Sequence, residues 1–566
     1  ANLSKLPDCG RRLLEKIEML EEKLINRDAF GRNANVIHLA EMSVLYICLI
    51  FSFVFAYLNC FSSLANVPEN LKTNTPTSLL TELMPHQKEG LTWLLWREKQ
   101  SLPGGILADD MGLGKTLSMI SLIVNVKENR KQNEEVKGSN KQVTKSSCLI
   151  PSRTTLIIAP ASLIFQWEAE FQKHVKSGFL SRYVFHGPKH KRDISAECLA
   201  RYDVVVTTYG IVSNELSEKF TAVGVEDERS SSDESISRKP GSVLTKIAWE
   251  RVILDEAHQI KNRTSLISKA CCKIPAVARW CLTGTPIHNN LWDLYSLIRF
   301  LRVVPFDEEA VWKEYILSAR ILNTLVKGLL LRREKNQLCT ETNKPIVDLK
   351  SRKYEEIVMK FEGMEKKVYD YMFQSSNNDT NRFAKVGLIF IEFIVGGPQT
   401  TRNNNNFQAM TCVLTLLMRL RQACVHFALI NQVLVIVSQW TSLLNILEYH
   451  LERKKILYTS INGKVSSSDR QNRANSFNMM DSGPHVMLLS LTAGGVGLNL
   501  VGGNHLFLVD LHWNPALEQQ ACDRIYRIGQ TKNVFIHKLV CLETIEERVL
   551  ALQRIKQTLA KDVLDG

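Results

Sequence analysis

The chain has 566 residues, 45% of them hydrophobic and 23% charged, with a formal net charge of +13. These values exclude a disordered or fibrous protein and leave room for about two to four globular domains. The cationic excess suits a polyanion such as nucleic acid, although a solvated basic surface has the same charge. Its 13 cysteines include no Cys-x-x-Cys pair. No zinc ribbon or RING finger is therefore expected, and scattered thiols suit a reducing compartment.

From the amino terminus, Leu13, Leu14, Ile17, Leu20 and Leu24 recur at helical spacing, so a helical extension is expected over 1–42. Ser43 to Val67 carries no charge and is long enough to span a bilayer. Two other readings stand beside a membrane span: a buried helix, or a segment that the mature protein lacks. The soluble motor read from the rest of the chain argues against a membrane partner. Leu83-Met84-Pro85-His86-Gln87 then opens a helix bearing Trp93 and Trp96. The Gln87 amide offers a donor and an acceptor that could read an adenine edge.

Ile106-Leu107-Ala108 reads as a strand end and Thr116 to Val126 as a helix. Between them, Asp109-Asp110-Met111-Gly112-Leu113-Gly114-Lys115-Thr116 reads as a phosphate cradle. Glycines let backbone N–H groups approach phosphate oxygens, and the helix amino terminus adds positive charge. Lys115 would reach the β- and γ-phosphates and Thr116 would hold Mg²⁺. Asp110, Met111, Gly112, Leu113 and Gly114 would line the cradle. Asp109 departs from the usual pattern, which places glycine there.

Lys127 to Ser147 reads as a polar insertion. Thr155 to Ala159 and Asp203 to Tyr209 each read as a buried strand followed by a turn, and Ser213 to Lys246 as an acidic, serine-rich insertion. Val252-Ile253-Leu254 ends in Asp255-Glu256-Ala257-His258. Asp255 would hold Mg²⁺, and Glu256 would orient and deprotonate a water. A pair of solvated acids is the plainer reading, weakened by the phosphate cradle upstream. Thr283 and Thr285 in Leu282-Thr283-Gly284-Thr285-Pro286 could sense the γ-phosphate.

These motifs resemble the Swi/Snf-type branch of superfamily-two helicase-like ATPases. The resemblance runs from about Leu79 to Leu564 and takes in Ser438-Gln439-Trp440-Thr441, Gly494-Gly495-Val496-Gly497-Leu498-Asn499-Leu500 and Asp523-Arg524-Ile525-Tyr526-Arg527-Ile528-Gly529-Gln530. Within the branch, Gly502 to Leu508, Asp510, His512-Trp513-Asn514-Pro515 and Cys522 look most like the lodestar-type RNA polymerase II transcription termination factors. The lack of a RING finger fits the same subfamily.

The resemblance implies an α/β fold of two RecA-like lobes with parallel sheets and a helical connector. Lobe one is expected over 76–303, the connector over 304–430, lobe two over 431–541 and a brace helix over 542–566. It also implies a nuclear location, with the cytoplasm as a second one, ATP and Mg²⁺ as cofactors, and double-stranded DNA and the RNA polymerase II elongation complex as partners.

In the connector, Arg332 and Arg333 would contact DNA phosphates or support the ATP site, with surface ion pairing as the alternative. Asn403 to Asn406 lie in an Asn-rich stretch, and Leu416 to His426 reads as a helix with Arg419 and Arg421. The short run from His426 to the strand at Val433 departs from the family, so this member is either compact or lacks a segment there. Asn462 stands where the family usually has Asp. Gly494 and Gly497 would allow close approach to DNA or nucleotide. Arg524 and Arg527 lie three apart on an expected helix and would enter the ATP site, Arg527 as the finger and Arg524 as its partner. The activity implied is DNA-dependent ATP hydrolysis that drives translocation and displaces polymerase. A remodelling or repair translocase, or an inactive DNA-binding scaffold, is the rival.

Overall fold

The computed structural model describes residues 71–565 apart from 137–148, 217–241, 288–289, 316–318, 339–344, 348, 361–432 (363 and 366 excepted), 480–482 and 492–496. Several sequence expectations fall outside the described residues. They are the helical extension and apolar stretch before residue 68, the Asn-rich stretch, the Leu416–His426 helix with its short junction, and Gly494 to Val496. Among the described residues, no helix is long and apolar enough to cross a membrane.

Among the described residues, fourteen strands form two sheets. They are β1 (Gly104–Leu107), β2 (Ile150–Pro151), β3 (Thr155–Ala159), β4 (Arg182–Val184), β5 (Val204–Thr208), β6 (Ile247–Asp255), β7 (Ala276–Leu282), β8 (Leu330–Leu331), β9 (Arg352–Met359), β10 (Leu434–Ser438), β11 (Tyr458–Ile461), β12 (Val486–Ser490), β13 (His505–Leu508) and β14 (Val534–Cys541). The first sheet runs β4-β5-β3-β6-β7-β1-β8, with β2 beside β6, and the second runs β11-β12-β10-β13-β14-β9. Every pairing is parallel.

The sequence explains why. Central strands such as Thr155–Ala159 and Val486–Ser490 are buried along their whole length. Unbroken apolar runs of this kind suit strands covered on both faces, which is the setting of parallel sheets. Helices supply the cover. Trp93, Trp167 and Phe171 pack with Trp280 under the first sheet, and Phe477, Ile525 and Leu506 pack in the second lobe.

Three expectations need correction. The phosphate-loop helix runs Lys115–Val136, well into the supposed insertion. Its last ten residues are polar apart from Val136, seven of them are Lys, Glu, Arg or Gln, which are good helix formers, and polarity alone does not end a helix. The connector also contributes to both sheets. Leu330–Leu331 pairs beside β1, and Arg352–Met359 pairs with β14 over eight positions. Strand β9 was hidden because it is an edge strand whose charged residues, Lys353, Glu355 and Glu356, face solvent. Finally, the helix ahead of the arginines spans only Pro515–Cys522. Arg524 and Arg527 lie on turns, because Gln530 pulls the chain aside by donating to the carbonyls of Ile525, Val501 and Gly503.

The carboxy-terminal helix Ile545–Asp565 is present as expected, and it contacts the helix Ala319–Leu329. It is anchored on lobe two. Gln553 donates to Glu518 at 2.7 Å and accepts from Lys538 at 2.8 Å.

Candidate ATP site between the lobes

Strands β6, β7 and β1 are neighbours, and all end on one edge of the first sheet. Ligands in open parallel sheets bind at that carboxyl edge. Three motifs meet there because their strands are adjacent: Asp109–Thr116 after β1, Asp255-Glu256 at the end of β6, and Thr283-Gly284-Thr285 after β7.

Gly112 and Gly114 have φ of 90° and 87°. Both lie in the left-handed region, where a side chain is strained, so the loop's geometry requires glycine. Lys115 folds back over the loop and donates to the carbonyls of Asp109 at 2.6 Å and Asp110 at 3.2 Å. Its ammonium thus already sits at the mouth of the cradle. The helix beginning at Lys115, with Thr116 in its first turn, presents its positive end to the same space.

Gln87 is buried against this loop. Its amide donates to Leu113 O at 3.2 Å and accepts from Met84 N at 3.1 Å. A Cβ on Gly114 would come within 2.3 Å of its Nε2. Gln87 is therefore a brace for the phosphate loop, with His86 beside it, 3.1 Å from the same Leu113 carbonyl. Gly284 packs on Met111, whose Cγ would lie 3.0 Å from a Cβ there, so the threonine motif touches the loop directly.

Asp109 explains its own departure from the glycine pattern. It is buried, and Arg333 donates Nε to its Oδ1 at 2.9 Å and Nη2 to its Oδ2. Arg333 Nη1 also reaches His86 O. Arg333 is thus a support of the loop, buried away from any DNA surface, whereas Arg332 lies near Glu334 at 3.5 Å. Asp110 accepts from the backbone of Lys335.

The carboxylate pair is partly buried. Asp255 accepts from Trp167 Nε1 at 2.7 Å and from Glu256 N at 2.9 Å. Burial, and then the charge of Glu256, pushes the Asp255 carboxyl up to about 7. Burial raises Glu256 as well, while Arg524 and Lys115 oppose the rise. Glu256 sits at φ 49°, a left-handed conformation unusual for Glu. Its Oε2 makes no hydrogen bond and lies 3.4 Å from His258 Nδ1. Burial lowers His258 to about 4, so it is neutral and supplies no counter-charge at neutral pH.

The second lobe closes the cleft. A Cβ on Gly112 would lie 2.9 Å from the Cβ of Arg527. Arg524 is buried, with Glu256 as its foremost stabilising charge. Arg527 stands over the phosphate loop, and Arg524 lies close enough to Glu256 to feel its charge. Gly497 packs against lobe one. Its Cβ would collide with Leu163 and Gln166 of lobe one, so it allows close contact between the lobes. Asn462 lies away from the cleft, turned back on its own loop, where it accepts from Lys464 N and Arg470.

The donor set fits a magnesium nucleotide. A glycine cradle, a helix amino terminus and three cations surround a partly buried carboxylate pair whose charge lacks full compensation. A divalent cation at Asp255 would supply it. One functional residue escaped sequence reasoning: Trp167 orients Asp255 from a different strand–helix unit and carries no local sequence signal. For Arg333, of the two readings offered, support of the loop through Asp109 is what the geometry shows.

The fold and this cleft define a two-lobed helicase-like ATPase core. A model of the SNF2-related domain matches residues 86–429, and one of the helicase conserved C-terminal domain matches 415–529. The chain belongs to the SNF2-related family. It is 32% identical to "Transcription termination factor 2" of Drosophila melanogaster, over 87% of this chain and 58% of that protein. It is also 32% identical to "Probable global transactivator" of Orgyia pseudotsugata multicapsid polyhedrosis virus, over 85% of this chain and 91% of that one. "DNA repair protein RAD5A" of Arabidopsis thaliana is 26% identical over 87% of this chain and 65% of its own length. The chain therefore spans less than two thirds of two of these relatives. Among solved structures, the Sulfolobus solfataricus SWI2/SNF2 ATPase core in complex with dsDNA matches at 25% identity and a TM-score of 0.38, over 86% of this chain and 94% of that one.

Proposed function

We propose that the chain is a DNA-dependent ATPase that moves along double-stranded DNA and uses that movement to displace RNA polymerase II with its transcript. The observation that carries the ATPase reading is the seating of Arg527 of lobe two over Gly112 of the phosphate loop, with the buried Arg524 close enough to Glu256 for each to feel the other's charge. An inactive scaffold has no need to bring two arginines of one lobe to the phosphate loop and acid of the other.

In this reading, Lys115 exchanges the Asp109 and Asp110 carbonyls for phosphate oxygens. Thr116 and Asp255 would hold Mg²⁺, which would supply positive charge to the phosphoryl oxygens. Glu256 orients the attacking water and accepts its proton. Arg524 and Arg527 stabilise charge on the transferred group. Both arginines come from lobe two, so the bound nucleotide favours closed lobes and hydrolysis releases them. Repetition of that cycle would ratchet the lobes along the duplex. Contacts to phosphate would make DNA binding tolerant of sequence and steeply salt-dependent. The net charge of +13 fits that partner.

Polymerase displacement and a nuclear location rest on the likeness to the Drosophila termination factor, while the likeness to the Arabidopsis repair protein favours a repair translocase as the second reading. A stalled elongation complex on a linear template separates them. ATP-dependent transcript release, abolished by Lys115→Ala, is the expected result. ATP hydrolysis without release would leave the motor and remove its termination role.

A further inference from the structure

Lys335 occupies an unusual place. Its backbone N–H donates to Asp110 Oδ2 in the phosphate loop at 3.2 Å. Its side chain crosses into lobe two, where Nζ donates to Asp523 Oδ1 and to Tyr526 O, both at 2.7 Å. The ammonium also lies 5.0 Å from the centre of the Tyr526 ring. Lys335 and Asp523 are both almost fully buried, at 5% and 7% exposure. Asp523 has a second cation, Arg352, at 3.7 Å, too far for a direct hydrogen bond.

Asp523 and Tyr526 alternate with Arg524 and Arg527 on the same turns. One residue therefore grips the phosphate loop by its backbone and the arginine turn by its ammonium. An ammonium with three donors can hold a carboxylate and a carbonyl together, which no apolar residue can do. A buried ion pair of this kind contributes little net stability but fixes geometry strongly. The lobes cannot part at this point without stripping Lys335 from both partners.

We propose that Lys335 is a positioning residue whose ion pair with Asp523 sets the two arginines over the phosphate loop and must break each time the cleft opens. This inference rests on the ATPase reading. It predicts a defect in turnover with nucleotide binding preserved, since the backbone contact with Asp110 survives a side-chain change and the Lys335 ammonium is engaged by lobe two, not by the cradle.

The test uses the full chain with DNA-stimulated ATP hydrolysis. Lys335→Met and Asp523→Asn are each expected to lower kcat by about 10- to 100-fold, the range a misplacement of about 1 Å can cause. KM for ATP should stay within about twofold. The double variant should be no worse than the poorer single one, because one interaction is lost in all three. Additive losses, an unchanged kcat, or a change in KM alone would overturn the proposal. A second measurement needs no variant. Amine-specific labelling read by mass spectrometry should show Lys335 reacting far more slowly than the exposed Lys353, and more slowly still with a non-hydrolysable ATP analogue and duplex DNA. Equal labelling of the two lysines, or labelling of Lys335 that ignores nucleotide, would overturn it. If the unaltered chain hydrolyses no ATP, the ATPase reading fails, and labelling alone still decides whether the lobes close through Lys335.

Discussion

Arg333 holds both carboxylate oxygens of Asp109 across 224 positions of sequence. The pair is sealed under the phosphate loop, so the loop's shape depends on a residue from the connector. Removing one member of a buried, hydrogen-bonded ion pair leaves an uncompensated charge and typically costs about 3–5 kcal/mol. Arg333→Ala is expected to lose roughly that much in a denaturant titration and to weaken ATP binding. Unchanged stability would show that the loop does not need this support.

That pairing shows where the sequence was readable. The glycines and Lys115 lie within one short run, so their joint purpose is legible from spacing. Asp255-Glu256 at the end of an apolar strand is legible for the same reason. The Arg333 partner is not, since neighbours in sequence say nothing about a contact made through a whole lobe. Strand β9 escaped because an edge strand with exposed Lys353, Glu355 and Glu356 lacks the apolar run of a central strand. The arginines were placed on a helix because the three-residue spacing fits one, but the helix stops at Cys522, and the Gln530 amide ties the Ile525 carbonyl to those of Val501 and Gly503 in another loop.

Asp255 gives the cleft a pH signature. Its carboxyl is raised from 3.8 to about 7 in the fold. Between those values the folded chain binds more protons at this group than the unfolded chain does. Its contribution to stability is therefore fully present below the unfolded value and is lost as pH rises towards 7. One proton sets a limit of about 1.4 kcal/mol per pH unit. In metal-free buffer, Asp255→Asn should flatten the fall in stability between pH 4 and 7. Mg²⁺ with an ATP analogue should flatten it too, by compensating the ionised form. An identical slope in the variant would refute this assignment.

Gly497 is a contact point between the lobes. A Cβ there would lie 1.8 Å from Leu163 Cδ2 and 2.6 Å from Gln166 Oε1. Gly497→Val should hold the lobes apart, cutting ATP turnover by about tenfold or more while ATP binding persists. Leu163→Ala in the same chain should restore part of the loss by removing the obstructing methyl groups. Failure of that second change to help would mean that the φ of 54° at Gly497, not the contact, makes glycine necessary.

The brace helix depends on Gln553, which is buried and hydrogen-bonded to Glu518 and Lys538. Gln553→Leu would leave both partners short of a hydrogen bond, a loss of about 1–3 kcal/mol in thermal or chemical unfolding. Stability equal to that of the parent chain would show that the helix docks through its apolar face alone.

The central claim is that the cleft hydrolyses ATP under the control of DNA. The most direct measurement is the steady-state ATPase rate of the purified chain, with and without duplex DNA, beside Lys115→Ala and Glu256→Gln. The account predicts turnover that rises with DNA, falls steeply with salt, and is lost in both variants while they remain folded. A folded parent chain that hydrolyses no ATP in the presence of DNA and Mg²⁺, or hydrolysis that survives Lys115→Ala, would contradict it.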